Sequence, residues 1–184
     1  MKPTEKLIQE HMVIQFMLSI MLIISESIKA KKVFYTNDVE KIVDFFLNYV
    51  DKYHHSKEEK VFYPGLISVQ SSIVHYPISS ILEEHQIGKR YLNEIICGVE
   101  NCKIGSSFSC ERIADSMKNF VLLIENHIQN EENTLFPFAN AAMCENTQKH
   151  ISEQFTIIDK EFAAMGESEK YTELLNQMTD KYLN

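Results

Sequence analysis

One pattern, present twice, constrains this chain more than anything else in it. His54 stands four residues before Glu58, and His127 stands four before Glu131. Each copy runs on as a second Glu, two variable residues, an apolar residue, an aromatic and a proline, ending at Pro64 and Pro137. A lone histidine precedes each copy at nearly the same distance: His11 lies 43 residues before His54, and His85 lies 42 before His127. On an α-helix, side chains four apart lie one turn above one another on the same face. The pattern therefore sets His beside Glu twice, in two halves of equal layout.

The rest of the chain has the makings of helix. Gly (5) and Pro (4) are scarce in 184 residues, while 45% of the residues are hydrophobic. Few breakers among many Leu, Ile, Met, Glu and Lys predict an all-α fold. A first helix is expected over about 4–31, capped by Thr4, with Leu7, His11, Ile14, Leu18 and Met21 on its buried stripe. Asn37 and Asp38 cap a second, which carries Leu47, Val50, His54, Glu58 and Val61 on one face. Pro64 and Gly65 are expected to end it, with residues 66–76 as a connection. Pro77 opens a third helix to about 102, with Ile78, Ile81, Leu82, His85, Lys89 and Leu92 on its stripe. Residues 103–107 read as a turn. A fourth helix, over about 109–134, carries Phe120, Leu123, Ile124, His127 and Glu131, and Pro137 kinks or stops it. Further helices over about 147–165 and 169–183 complete the chain.

This layout predicts one domain over 1–184. Its core, about 4–138, is an up-down-up-down four-helix bundle, followed by one or two extra C-terminal helices within about 145–184. In such a bundle His11 and His85 lie about a third of the way along their helices, and His54 and His127 about two-thirds. Antiparallel neighbours bring those levels together.

Several classes are disfavoured. A net charge of −8 lacks the basic footprint of a nucleic-acid binder. The apolar run 12–24 looks like a leader or a membrane span, but Glu5 and Glu10 stand where a basic segment belongs, and the run is short for a span. A buried core helix is expected instead, and no membrane partner. The four cysteines, Cys97, Cys102, Cys110 and Cys144, form no Cys-x-x-Cys pair, and the chain reads as reduced and cytoplasmic, with a disulfide among Cys97, Cys102 and Cys110 as the disfavoured alternative.

His11, His54, Glu58, His85, His127 and Glu131 are the candidate metal ligands. A lone histidine on an apolar stripe is usually a satisfied core residue, and a single His-x-x-x-Glu is usually a solvated pair. Two matched copies are hard to explain that way. Two carboxylates in an apolar interior are very unfavourable without partners, and two divalent cations bridged by them resolve the difficulty. Mixed nitrogen and oxygen donors suit iron, manganese or zinc. His55 reads as an outer or surface group, because the trailing prolines fix the register on His54 and His127, and Glu59 and Glu132 read as solvated. His75 and His150 read as surface residues. Tyr53 and Tyr63 lie near the site in sequence. Gly88, one turn after His85, reads as a helix-packing contact more than as room for a ligand.

At these residues, over about 5–138, the chain resembles the hemerythrin-like, or HHE cation-binding, family. The likeness rests on His11, on His54-His55 with Glu58-Glu59, on Glu84-His85, and on His127 with Glu131-Glu132 before Leu135-Phe136-Pro137. It implies a four-helix bundle holding a non-haem pair of iron ions, with Glu58 and Glu131 as bridging carboxylates and an oxo or hydroxo bridge. Oxygen-carrying members have a fifth histidine where this chain has Ile81, and an aspartate where it has Glu132. That departure points away from reversible oxygen transport and towards an open iron position for O2, NO or peroxide. The resemblance implies a stand-alone sensing or oxidative and nitrosative stress protein. The alternative is a di-iron enzyme: a peroxidase, a nitric-oxide reductase or a repair protein for iron centres. A ferritin-like oxidase is disfavoured, since neither His54 nor His127 has Glu three residues before it.

Overall fold

The computed structural model describes residues 1–30, 34–103 and 107–183, with side chains for all of these except 70–76 and 107–109. The expected turn over 103–107 falls largely outside the described residues, as does the side chain of His75.

Helix α1, Pro3–Lys29, begins with Pro3 in its first turn, where the missing N–H is unneeded. The Glu5 carboxylate accepts from the Lys2 backbone N–H at 2.8 Å, closing the helix start. Thr4, expected as a cap, is instead buried inside the helix with its hydroxyl 3.0 Å from Asn140 Oδ1. By length and composition α1 could cross a membrane. In this fold Leu7, Ile14, Met17, Leu18, Met21 and Ile24 are buried against its neighbours.

The second limb starts as α2, Thr36–Phe45, and continues through a π-helical stretch, Phe46–His54, the short α3, His55–Lys57, and a second π-helical stretch, Glu58–Phe62. Helix α4, Tyr63–Lys103, follows without a break. Here the structure departs from the sequence reading: Pro64 and Gly65 end nothing, residues 66–76 are helical, and Pro77 lies inside α4 rather than at its start. The reason lies in the widened turn before Pro64. The Tyr63 N–H bonds to the Glu58 carbonyl, five residues back, so the helix is already opened where the proline ring would strike a carbonyl four residues behind it. The same device recurs before Pro137. There α5, Ser107–Asn130, passes through π-helical Glu131–Leu135 into α6, Phe136–Ala142, and Phe136 N–H bonds to the Glu131 carbonyl.

Although unbroken, α4 folds back on itself. A straight helix would separate Glu58 from His85 by about 40 Å at ~1.5 Å per residue, yet His85 Nε2 lies 3.7 Å from Glu58 Oε2. The second limb of α4 runs antiparallel to the preceding stretch, bringing Lys103 to Glu40 and His85 to Glu59. Helix α5 then runs antiparallel to it, with Ser116 on Glu94 and His127 on Glu84. The bundle is thus all-α and up-down-up-down. A disulfide joins Cys102 at the end of α4 to Cys110 near the start of α5, which corrects the expectation of reduced cysteines. The two chain segments converge there, a proximity that spacing alone does not reveal.

Helices α7, Glu145–Ala164, and α8, Glu167–Tyr182, pack on the outside of the bundle. Gly166, at φ +76°, makes the corner between them, a conformation that other residues rarely adopt. Ile151 and Phe155 of α7, and Tyr171, Leu174 and Met178 of α8, are buried.

The core has two apolar clusters. One holds Ile14, Val50, Leu92, Phe120, Ile124 and Ile128; the other holds Leu7, Phe62, Ile81, Leu135 and Phe136. Each bundle limb passes from one cluster to the other at its histidine: Leu7 to Ile14 around His11, Val50 to Phe62 around His54, Ile81 to Leu92 around His85, and Ile128 to Leu135 beside His127. The polar site is a layer between two hydrophobic plugs. At Gly88 an added Cβ would meet Ile124 and Phe120 at 3.5 Å, an ordinary van der Waals contact.

Candidate metal centre

All six candidate side chains meet in this layer, and all are buried. His11 Nε2 lies 3.1 Å from His54 Nε2, and His85 Nε2 lies 3.3 Å from His127 Nε2. The carboxylates of Glu58 and Glu131 lie between the pairs. Glu58 Oε1 is 3.2 Å from His54 Nε2 and its Oε2 is 3.7 Å from His85 Nε2. Glu131 Oε2 is 3.3 Å from His11 Nε2 and 3.5 Å from His127 Nε2. Each carboxylate therefore reaches one histidine of each pair.

The outer nitrogens repeat the symmetry. His54 Nδ1 is 2.9 Å from Glu10 Oε2, and His127 Nδ1 is 2.9 Å from Glu84 Oε2. His11 Nδ1 is 2.9 Å from Glu132 Oε1, and His85 Nδ1 is 2.8 Å from Glu59 Oε1. A carboxylate accepts only, so each Nδ1 carries the proton and donates. That leaves each Nε2 with its lone pair turned inward. Two lone pairs 3.1 Å apart repel, and three of the facing carboxylate oxygens, Glu58 Oε1 and Oε2 and Glu131 Oε2, are buried with no hydrogen-bond partner. Such an arrangement is stable only with positive charge at its centre. The donor set, four imidazole nitrogens and two carboxylates with carboxylates behind the imidazoles, is one that a divalent metal satisfies.

Without metal, protons take that place. Burial lowers the pKa of His11, but the Glu131 and Glu58 carboxylates outweigh it and push it up to about 10. Burial opposes the charge on His54 also, and Glu58 and Glu10 raise it to about 9. Burial pushes the Glu58 carboxyl up, while His54 and His11 hold it well below the usual range.

Around the six inward side chains the structure places the neighbouring polar groups. Glu59 and Glu132 are not solvated bystanders; each clamps the lone histidine of the opposite half. Tyr63 is buried and points inward, its hydroxyl donating to Glu131 Oε1. His55 is neither on the surface nor hydrogen-bonded behind a ligand: it is buried, with its ring stacked on that of His85 at 3.6 Å. Tyr53 turns away from the centre, towards Asp159, 2.8 Å from its hydroxyl. His150 is exposed, as expected. The repeat carries a signal for Glu10 and Glu84 as partners, since each immediately precedes the lone histidine of its half.

One further buried charge supports the site from outside. Lys57, adjacent to Glu58, is fully buried, and its ammonium pairs with Glu10 and, at 2.6 Å, with Asp159 of α7.

The family model of the hemerythrin HHE cation binding domain matches residues 2–139. The chain belongs to that family. The matched span covers all six inward-facing side chains and ends just before α7, so the two outer helices of this hemerythrin-like protein lie beyond the match. No curated protein and no solved structure matches it. Family membership carries cation binding with it, and the buried His and Glu layer is where a cation fits.

Proposed function

We propose that the chain binds two iron ions in the His–Glu layer and takes up a small molecule, O2 or NO, at an open metal position, for sensing or for the response to oxidative or nitrosative stress. The observation that carries this reading is the inward set of four Nε2 lone pairs facing three partnerless carboxylate oxygens. His11 and His54 would hold one ion, His85 and His127 the other, and Glu58 and Glu131 would bridge them. Manganese or zinc fits the same donors; zinc is redox-inert and could not supply the electron exchange that O2 or NO binding uses, and the family resemblance favours iron over manganese.

The chain's own residues do the rest. Glu10, Glu132, Glu59 and Glu84 hold the four imidazoles in one tautomer and orientation. Tyr63 fixes Glu131. Its buried hydroxyl donates to Glu131 Oε1 and so positions that carboxylate; in the metal-free protein burial and the charges of Glu131 and Glu58 push the phenol well above its ordinary pKa. The two apolar plugs exclude water from either side of the layer.

The test is anaerobic loading with ferrous iron, followed by metal analysis and by absorption spectra before and after O2 or NO. Two irons per chain and a ligand-dependent band are expected, with both irons lost in His54→Ala and His127→Ala. A loaded protein whose spectrum ignores both gases would defeat the sensing reading, and peroxide or NO consumption beyond that of free iron, abolished in Glu58→Ala, would favour an enzyme.

A further inference from the structure

The two halves of the metal layer match in their six inward groups and their four outer carboxylates, and differ at two buried positions: Tyr63, whose hydroxyl donates to Glu131, answers to Phe136, and the residue after the motif histidine differs as well. In the first copy of the motif the residue after the histidine is His55; in the second it is Ile128. Both are buried. The pseudo-symmetric layer thus has one extra imidazole, and it lies on one side only. A ring nitrogen of His55 falls within 4.8 Å of donor atoms of Glu58, His85 and His127.

Two roles are open to such a group, ligand or neighbour, and the ring geometry decides between them. An imidazole directs its lone pair within its own plane, so an ion it holds lies in that plane. The rings of His55 and His85 are stacked at 3.6 Å between centroids and are within 8° of parallel. Two parallel planes a ring's thickness apart share no point from which one ion could be held squarely by both. His85 is the one whose Nδ1 is clamped by a carboxylate, so it keeps the ligand position. His55 is left facing the space beside the ion rather than the ion.

His55 is also short of partners. Its Nδ1 is buried without a hydrogen bond: the nearest acceptor, Asp51 Oδ1, is 3.7 Å away, close enough for electrostatic attraction but too far for a hydrogen bond, and has Lys89 at 2.8 Å. A buried ring nitrogen with no partner is uncommon in folded proteins and calls for one.

We propose that His55 is the hydrogen-bonding partner of the small molecule that docks at the His85–His127 half of the centre, and is not a metal ligand. The inference rests on the proposed function, because it assumes that a small molecule enters the layer. It assigns the docking position to one half: the side of His85 and His127 has a polar neighbour, and the matching place in the other copy holds the hydrocarbon of Ile128. Ligands able to share a hydrogen bond with an imidazole, such as anions and bent diatomics, are favoured there.

The experiment is an azide titration of the iron-loaded, oxidised protein, compared with His55→Phe and His55→Gln. Phe keeps the flat ring and the stack but removes both nitrogens; Gln restores a polar group. All three proteins should hold the same iron per chain. The azide dissociation constant should rise about three- to tenfold in His55→Phe, the worth of one hydrogen bond, and recover in part in His55→Gln. Iron lost from both variants would make His55 a ligand and overturn the proposal. Equal azide affinity in all three would make it a bystander and overturn it too, while leaving the proposed function standing. A wild-type protein that loads iron yet takes up neither azide nor a gas would remove the proposed function, and this inference with it.

Discussion

Replacing Lys57 with methionine isolates the buried charge beside the metal layer. Methionine keeps most of the unbranched stem but removes the ammonium that sits 3.7 Å from the Tyr53 ring centroid, a cation–π contact of about 0.5–2 kcal/mol. What is lost is the positive charge between Glu10 and Asp159. Removing one partner from a buried ion pair is destabilising by about 3–5 kcal/mol, because the other charge is left behind. Two features put Lys57→Met at the low end. Glu10 retains His54 Nδ1 at 2.9 Å, and Asp159, 23% exposed, retains Lys6 and the Tyr53 hydroxyl. A loss of roughly 3 kcal/mol is expected, equivalent to a fall in Tm of about 6–12 °C for a chain of this size. The control is Lys6→Met. Its pair with Asp159 is partly exposed on both sides, and after solvent screening about 0–1 kcal/mol is expected. Urea denaturation of metal-free protein, followed by circular dichroism, measures both. If Lys57→Met falls within about 0.5 kcal/mol of wild type, well inside the few kcal/mol expected of a broken buried pair, the ammonium is not uncompensated-charge-sensitive and the reasoning fails. Equal losses from Lys57→Met and Lys6→Met would refute it as well.

Further expectations concern pH, the outer carboxylates and the disulfide. In metal-free protein the raised pKa values of His11, about 10, and His54, about 9, stabilise the fold fully below the unfolded value of 6.5, and that contribution is lost as pH rises through 9 and 10. Urea midpoints should therefore decline across that window, while iron affinity rises over the same range because binding must displace those protons; proton release on loading, read with an indicator dye, gives the same sign. Asp51, held at about 2 against burial by His55 and Lys89, contributes stability above its unfolded value of 3.8 that disappears as pH falls through 2. Glu10→Gln and Glu84→Gln should each weaken iron binding about 10–100-fold by freeing one imidazole, measured by competition with a chelator; unchanged affinity would show that the imidazoles need no orientation. Reducing Cys102–Cys110 should cost about 2–3 kcal/mol, as expected for a short closed loop, with the metal spectrum unaltered because the bond lies at the opposite end of α4 and α5 from the layer.

Much of the centre was legible because its geometry is local. His54 with Glu58, and His127 with Glu131, are four residues apart, and helical periodicity alone aims each pair one way. The lone His11 and His85 were legible through the repeat distance. The outer clamps were half-legible: Glu10 and Glu84 adjoin histidines, and Glu59 and Glu132 follow the bridging glutamates, yet sequence assigns none of them a partner. The burial of His55 against His85 was not legible, because a ring one residue beyond His54 faces away from it on an α-helix. The π-helical turns change that register. The His55 N–H bonds to the Val50 carbonyl, five residues back, and the wider turn brings two consecutive histidines into the same layer.

The chain by itself determined the all-α class, the six inward side chains and their pairing by halves, since all of these follow from spacing along a helix. Tertiary structure decided the rest. It folded α4 back through residues the sequence marks as a break, joined Cys102 to Cys110, and anchored α7 to the layer through Lys57 and Asp159. It also matched each imidazole with a carboxylate from another helix. These are contacts between residues distant in the chain, set by which helix faces close on one another, and no short-range pattern encodes them. The repeated His-x-x-x-Glu requires a metal-like charge at its centre; the packing of four limbs leaves one half of that centre with an extra imidazole.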